Sequence, residues 1–309
     1  MNHVLETLFF ALIPILITIG LGYYSAVKGT FDEQDSHKLA LARLVLNYML
    51  PLNVFAGIWG TSRKIMIQDV GLALWLAVAM VVCFLLMILV YRYALKNDAP
   101  VVILRAMSIA DPSVPFVGSA VLPLIFGAND SAITIGICTL TINVIMLPIA
   151  FSAFGDNGDT VSARLKNTFK KPLVIAALLG FILVLCGSQM PTQFDSIFTL
   201  LGKGAGGLAI FTTGIVLKTH QITFNKTICS TILLKNLAFP LVVSGCMALF
   251  NSPTTLTRLV VVALAIPTAT MPSTLAIRFN VHEAELASTQ FWSTALSFIT
   301  LTAFVLALS

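Results

Sequence analysis

Long apolar stretches separated by short polar segments make up most of the sequence. An α-helix needs about 20 mostly apolar residues to cross the hydrocarbon core of a bilayer, and ten stretches meet or approach this length. The pattern therefore predicts an all-α membrane protein with ten transmembrane helices, numbered here as spans one to ten. They cover approximately residues 4–27, 38–60, 70–94, 101–126, 131–154, 172–188, 193–217, 226–250, 257–279 and 284–308.

The composition supports the assignment as a membrane protein, and it changes how the net positive charge of the chain is interpreted. Hydrophobic residues make up 58% of the chain and charged residues 10%, whereas charged residues account for about 25% of a soluble domain. The net charge of +5 would suggest nucleic acid as the partner of a soluble protein. In a membrane protein, an excess of Lys and Arg usually records orientation instead. The lipid bilayer is therefore the expected partner, and nucleic acid is not.

The distribution of basic residues predicts the orientation. Thirteen Lys and Arg residues lie in or next to the loops that follow spans one, three, five, seven and nine, against three on the other face: Arg63, Lys64 and Arg258. Because cytoplasmic loops carry the excess of Lys and Arg, both termini are expected on the outer side of the membrane. The remaining two basic residues, Lys203 and Lys235, fall inside predicted spans.

A weak internal repeat relates the two halves of the chain. The sequence Phe55-Ala-Gly-Ile58 returns as Phe211-Thr-Thr-Gly-Ile215, and Pro115 returns as Pro272, with an offset of about 156 residues. Each half contains five predicted spans. Because five is odd, the second half must cross the membrane in the opposite sense. Such inverted repeats are typical of secondary transporters.

Prolines interrupt spans four and nine at equivalent places in the two halves. Span four contains SIADPSVPFVGSAVLPLIFG with Pro112 and Pro115, and span nine contains AIPTATMPSTLAIRFN with Pro267 and Pro272. Broken helices persist in lipid only where protein or a cavity covers them, and paired breaks indicate a transporter binding site. We expect spans four and nine to cross at the bilayer midplane. The alternative is a pair of tolerated kinks.

The crossing is predicted to bind an anion. Where each helix restarts, N–H groups without a partner give the helix end a positive charge equivalent to about half a proton. Pro115 and Pro272 suit the first turn, and Ser113 and Thr270 are expected to cap it. The predicted substrate-binding residues at these two helix starts are Ser113, Val114, Pro115, Phe116, Thr270, Met271, Pro272 and Ser273.

Charged residues inside predicted spans are the next candidates. An intramembrane carboxylate costs about 2.5 to 3.5 kcal/mol, so Asp111 is interpreted as a proton carrier, with helix capping or pairing with a lysine as the alternative. Lys235 lies deep in span eight, and pairing with Asp111 is a hypothesis. Lys203, among glycines in LGKGAGGLAIF, is predicted to attract a substrate carboxylate; the alternative is snorkelling to the interface.

Uncharged polar residues inside spans are weaker candidates. Asn47 and Asn53 flank Pro51 and are placed to orient substrate, although hydrogen bonds between helices explain such residues equally well. The same two interpretations apply to Thr139, Thr141 and Asn143 in span five.

Enzyme chemistry and metal binding find no support in the sequence. The five cysteines are scattered singly through apolar segments, without the paired spacing of a metal site or a disulfide framework. The four histidines lie near loops or chain ends. The sequence therefore predicts a protein without metal, cofactor or catalytic residues.

Four segments resemble the auxin efflux carrier family, in particular its bacterial branch of malonate or malate permeases. They are RLVLNYMLPLNVF (43–55), DPSVPFVGSAVLPLIFG (111–127), LLGKGAGGLAIFTTGIVL (200–217) and AIPTATMPSTLAIRFNV (265–281). The family's broken-helix pattern is Asn-x-Gly-Phe-x-Gly-x-Pro. Here Ser113 stands in place of the asparagine and Pro115 in place of the first glycine, while Phe116 and Gly118 match.

The resemblance implies a fold and a mechanism. Helices one, two, six and seven would form a scaffold that often dimerises, and the other six would move as a transport domain in an elevator-like cycle. This assigns residues 1–66 and 172–222 to the scaffold, 67–155 and 223–309 to the transport domain, and 156–171 to a cytoplasmic linker.

Together these features predict a secondary active transporter in a bacterial cytoplasmic membrane. The expected substrates are small mono- or dicarboxylates such as malonate or malate, with proton coupling through Asp111 and Lys235 as one option. Sodium-coupled symport is the rival coupling mode, because unwound carbonyl groups can coordinate the ion. A passive channel or sensor that uses the same bent helices is a further alternative.

Overall fold

The computed structural model describes residues 2–30, 35–60, 70–154, 169–170, 172–220 and 222–308, and this part of the chain is helical, without a β-strand. The first half contains α1 (Asn2–Val27), α2 (Asp35–Leu44, a π-helical turn at Val45–Met49, then Leu50–Trp59), α3 (Val70–Leu89 and π-helical Val90–Ala94), α4 (Ala99–Ala110), α5 (π-helical Val114–Gly118, then Ser119–Phe126) and α6 (Ala128–Leu140, π-helical Thr141–Met146, Leu147–Ala153).

The second half contains α7 (Pro172–Leu185), α8 (Thr192–Gly202), α9 (Ala205–His220), α10 (Lys226–Leu233, π-helical Leu234–Ala238, Phe239–Leu249), α11 (Thr254–Ala265), α12 (Met271–Phe279) and α13 (Glu283–Ala307). The predicted linker 156–171 lies outside the described residues except for 169 and 170, as do Arg63 and Lys64.

Several helices are long and apolar enough to cross a membrane. Within the described part of the chain, six meet this criterion: Leu39–Trp59, Val70–Ala94, Ile133–Ala153, Ser196–Thr219, Lys226–Leu249 and Glu283–Ala307. Four shorter apolar helices, Ile13–Val27, Ala99–Ala110, Pro172–Leu185 and Thr254–Ala265, coincide with the remaining predicted spans. The chain is therefore built as a multi-pass membrane protein.

Spans four and nine are each divided into two helices. The chain leaves the helical conformation after Ala110 and after Ala265. Proline lacks an N–H group and disfavours helical geometry in the residue before it, so Pro112 and Pro267 account for both ends. Ile266, directly before Pro267, has the extended backbone that this rule predicts (φ −56°, ψ 137°).

The two breaks pair with each other through their backbones. Pro112 and Thr268 form an isolated antiparallel bridge. In it, the N–H of Ser113 donates to the carbonyl of Pro267 (2.9 Å), and the N–H of Ala269 donates to the carbonyl of Asp111 (3.0 Å). The two interrupted segments therefore lie in direct contact and satisfy backbone groups that neither helix can satisfy alone.

A third interruption, a short turn, divides span seven, which was predicted as one continuous helix. α8 ends at Gly202, a turn follows at Lys203 and Gly204, and α9 begins at Ala205. A Cβ atom on Gly202 would lie 2.9 Å from the backbone nitrogen of Asn53 in α2. The glycine thus allows a backbone contact with α2 that a larger residue would block.

The halves that precede the two breaks lie in the interior. Every residue from Leu259 to Ala265 in α11 is buried, and α4 is buried over most of its length from Val101 to Ala110. A helix that is apolar on all sides is typical of a position surrounded by other helices. The breaks therefore lie at the centre of the molecule.

Two glycines bring α1 and α9 into close contact along their length. A Cβ atom on Gly22 would lie 2.0 Å from the carbonyl oxygen of Phe211, and one on Gly214 would lie 2.1 Å from the carbonyl oxygen of Ile19. Because these neighbours are backbone atoms, a side chain at either position would force the helices apart.

We predict that Gly214→Ala destabilises the protein by about 1–3 kcal/mol, the usual range for overpacking. Gly207→Ala, in the same helix, is the matched control, because its Cβ would meet no atom within 4 Å. Thermal unfolding in detergent, followed by size-exclusion chromatography, checks the difference. Equal melting temperatures for the two variants would contradict the close contact.

Candidate substrate site

A cavity of about 210 Å³ lies beside the paired breaks. Four parts of the chain line it: α2, the break after α4, α6, and the break that leads into α12. The lining residues are Leu50, Asn53, Val54, Gly57, Asp111, Ser113, Ile135, Thr139, Ile142, Asn143, Ala269, Thr270 and Met271. Of the predicted substrate-binding residues, Ser113, Thr270 and Met271 are among them, together with the predicted proton carrier Asp111.

A helix starts at the cavity on each of the two broken segments. α12 begins at Met271, and Pro272 lies in its first turn. On the other segment, the carbonyl of Ser113 accepts from the N–H groups of Val117 (2.8 Å) and Gly118 (3.1 Å), which opens α5. The N-terminal ends of both helices, with their partial positive charge, therefore border the same cavity.

The expected capping by Thr270 was wrong. Its side chain makes no capping hydrogen bond to α12. The turn is closed through the Thr270 carbonyl, which accepts from the hydroxyl groups of Ser273 and Thr274, both at 2.8 Å. Because the hydroxyl is not used in this turn, Thr270 contributes to the cavity lining instead.

Asp111 lines the cavity without a hydrogen bond to protein. Its residue is 1% exposed, and among the described residues neither carboxylate oxygen has a hydrogen-bond partner. Buried polar groups are almost always paired, and leaving a charged one unpaired is expensive. A partner from outside the protein, such as a proton, a cation or a bound molecule, therefore has to complete this site.

Lys235 does not bind Asp111 directly in the described part of the structure. It is 1% exposed, its Nζ donates to the carbonyl of Leu264 at 3.0 Å, and it lies 5.5 Å from the centre of the Phe239 ring. Leu264 is in the last turn of α11, where carbonyl groups carry partial negative charge. Lys235 therefore stabilises the end of α11.

The other predicted substrate-binding residues whose side chains the structure describes do not line the cavity. The side-chain oxygen of Asn47 accepts from Nη1 of Arg278 at 2.7 Å, and Lys203 lies exposed in the turn between α8 and α9. Val114 is buried beside the cavity, and Ser273 bonds to Thr270 and to the side chain of Gln290. The side chains of Pro115 and Phe116 are outside the described part of the structure.

Three of the weaker candidates do line the cavity: Asn53, Thr139 and Asn143. The Asn143 amide donates to the carbonyl of Thr139 at 2.7 Å, while its oxygen has no partner among the described residues. Thr141 instead bonds to the carbonyl of Ile137 in its own helix. Asn143 lies in a π-helical segment, a distortion common at functional sites.

A buried hydrogen-bond network that sequence reasoning missed supports the second break. The hydroxyl of Ser293 in α13 accepts from the N–H of Thr268 at 3.1 Å and donates to the Asn236 side chain at 2.7 Å. Asn236 in turn donates to the carbonyl of Ser293 at 2.9 Å. These hydrogen bonds hold the break between α11 and α12 in place against α10 and α13.

Comparison with known proteins identifies the family. A family model described as "Membrane transport protein" matches residues 7–163 and again residues 159–305, which together cover nearly the whole chain. The chain belongs to this family. The match confirms the resemblance to auxin efflux carriers and makes the protein a membrane transporter.

Relatives of this transporter occur in enteric bacteria. It is 32% identical over 282 residues to the "Uncharacterized transporter YfdV" of Escherichia coli strain K12, and the alignment covers 88% of each chain. The same values hold for the proteins of that name in Escherichia coli O157:H7 and Shigella flexneri. Their printed name gives no substrate.

We predict that Ser293→Ala lowers both the stability and the transport rate of this protein. The variant leaves the buried N–H of Thr268 without its acceptor, which costs about 1–3 kcal/mol. Ser297→Ala is the matched control, because Ser297 is equally buried and its hydroxyl donates to the carbonyl of Thr294 in its own helix. If both variants melt at the same temperature in detergent, the network does not support the break.

Proposed function

We propose that this transporter carries small organic anions, mono- or dicarboxylates such as malonate or malate, across the bacterial cytoplasmic membrane. The observation that carries the proposal is the cavity at which α5 and α12 begin. Helix starts stabilise anionic groups through their N–H donors and partial positive charge. In transporters with broken helices, such helix ends face the anionic group of the substrate.

The neutral polar groups around the cavity suit the same substrate class. Asn53, Ser113, Thr139 and Thr270 all line it, and each carries a side-chain hydrogen-bond donor. A few polar groups in an otherwise apolar pocket fix the orientation of a small ligand. The apolar remainder, such as Leu50 and Ile142, favours a short carbon chain over a highly hydrated ion.

The proposal includes coupling of transport to protons through Asp111. An ionised Asp111 repels an anionic substrate in the same cavity, because the two charges share a poorly solvated space. Protonation of Asp111 removes this repulsion, so substrate and proton would travel together. Sodium is the second candidate, since the unpaired oxygens of Asp111 and Asn143 are the hard ligands that such a cation prefers.

An elevator-like alternating-access cycle is the proposed transport mechanism. The helices assigned to the scaffold pack on each other: α1 on α9, and the C-terminal part of α2 on α7 and α8. The cavity lies between α2 and the two breaks, where a moving domain would slide past a fixed one. The proposal includes a homodimer through the scaffold helices and both termini on the outer side.

We predict that proteoliposomes containing the protein exchange short carboxylates, and that preloading with unlabelled substrate accelerates uptake of labelled substrate. A panel of labelled mono- and dicarboxylates, tested with empty and preloaded vesicles, provides the measurement. A passive channel would show uptake without acceleration by preloading. The absence of exchange for every carboxylate would contradict the anion assignment.

A second prediction concerns coupling. Uptake by the natural protein should rise when the outside is more acidic than the inside, and Asp111→Asn should lose this response because the amide cannot take up the proton. Asp130→Asn, an exposed position in α6, is the matched control and should keep it. If uptake depends on a sodium gradient and ignores the pH gradient, sodium is the coupling ion.

A further inference from the structure

We infer that the substrate is a short carboxylic acid that also carries a hydroxyl or ammonium group, and that this second group binds Asp111. The inference rests on the proposed function, since it assigns the carboxylate of the substrate to the helix starts. It adds a second recognition element to the same site and narrows the substrate class accordingly.

The unpaired carboxylate of Asp111 is the first observation behind this inference. Both of its oxygens lack a hydrogen-bond partner among the described residues, yet the residue is 99% buried and lines the cavity. Among the residues that the structure describes, no basic side chain belongs to the cavity lining, and the ammonium group of Lys235 is bonded to Leu264. The acceptor capacity of Asp111 is therefore directed at whatever fills the cavity.

The cavity lining combines groups of opposite electrostatic character. Thr270 and Met271 at the start of α12 provide partial positive charge, and Asp111 provides an acceptor. A ligand with an anionic end and a donor group satisfies both. An acid without a donor leaves a buried carboxylate unpaired, and sites built around a hydrogen bond reject ligands that lack it.

The size of the cavity limits the chain length. Its volume of about 210 Å³ is below the roughly 300–1,000 Å³ of pockets that bind drug-sized ligands. The site therefore suits a short acid of roughly three to five carbon atoms. Among such acids, 2-hydroxy acids and amino acids both place a donor next to the carboxylate.

The test compares acids that differ only in the donor group. Malate is paired with succinate, lactate with propionate, and alanine with propionate, as competitors of exchange in proteoliposomes. We expect the donor-bearing member of at least one pair to compete on the order of tenfold to a hundredfold better. If both members of every pair compete equally, the inference is overturned while the proposed function stands. If no acid competes, both fail.

The same experiment distinguishes the two kinds of donor. An ammonium group neutralises Asp111 by itself, so uptake of an amino acid should not depend on a pH gradient. A hydroxyl group leaves a net negative charge in the cavity, so uptake of a hydroxy acid should rise with an inward proton gradient. Either response supports the inference, because a donor is required in both.

Asp111→Asn tests the residue itself. An amide is a weaker acceptor and can also donate, so the variant should reduce the preference for the donor-bearing acid at least tenfold, while Asp130→Asn should retain it. Stabilisation of the natural protein in detergent provides a second measurement that needs no variant: the donor-bearing acid should raise the melting temperature more than its partner. An unchanged preference in Asp111→Asn would overturn the inference.

Discussion

The pairing of two broken helices through their backbones is the interaction on which the rest of this structure depends. In a membrane interior, water cannot satisfy backbone groups that a helix leaves open, so breaks persist only where protein covers them. Here the N–H of Ser113 bonds to Pro267, and the N–H of Ala269 bonds to Asp111. The N–H of Thr268, which cannot reach the other segment, is taken up by the hydroxyl of Ser293. Each break thus makes the other possible.

The two breaks differ in the side-chain charge that lies at the end of the helix before them, which is α4 for one break and α11 for the other. The carbonyl groups at a helix C-terminus carry partial negative charge. At the end of α11, the ammonium group of Lys235 binds one of these carbonyls, which is a favourable arrangement. At the end of α4, the residue that follows is Asp111, whose negative charge is unfavourable there. This asymmetry leaves the carboxylate of Asp111 without a partner among the described residues, whereas the ammonium group at the second break is paired.

Much of this arrangement could be predicted from the sequence because its causes are local. The prolines at 112 and 267 determine where helices must end, and the spacing of apolar stretches determines the spans. The partners of individual side chains could not be predicted, because they depend on long-range packing. Arg278 and Asn47 are 231 positions apart. Pairing of Lys235 with Asp111 was one hypothesis, but the hydrogen bond of Lys235 goes to the backbone carbonyl of Leu264, a group that every residue carries.

The turn between α8 and α9 and the π-helical segments show a second limit of sequence reasoning. The glycines around Lys203 were noted in the sequence, but glycine is equally compatible with a close helix contact and with a turn. The structure shows both uses, because Gly202 lies against the backbone of Asn53 and Gly204 lies in the turn. The π-helical segment that carries Asn143 was not predicted, because it lasts about one turn inside a longer helix and the stretch around it reads as one continuous apolar span.

The boundary between α2 and the breaks is where the proposed transport cycle must act. α2 contributes Asn53 and Gly57 to the cavity, and the breaks contribute Asp111 and Thr270, so a displacement of one against the other opens the cavity. The bond from Arg278 to Asn47 crosses the same boundary and has to break in such a displacement. Arg278 is half-buried and also lies 5.7 Å from the centre of the Phe279 ring, so its release exposes both contacts to water. This contact therefore favours the arrangement described here, in which α2 lines the cavity together with the two breaks.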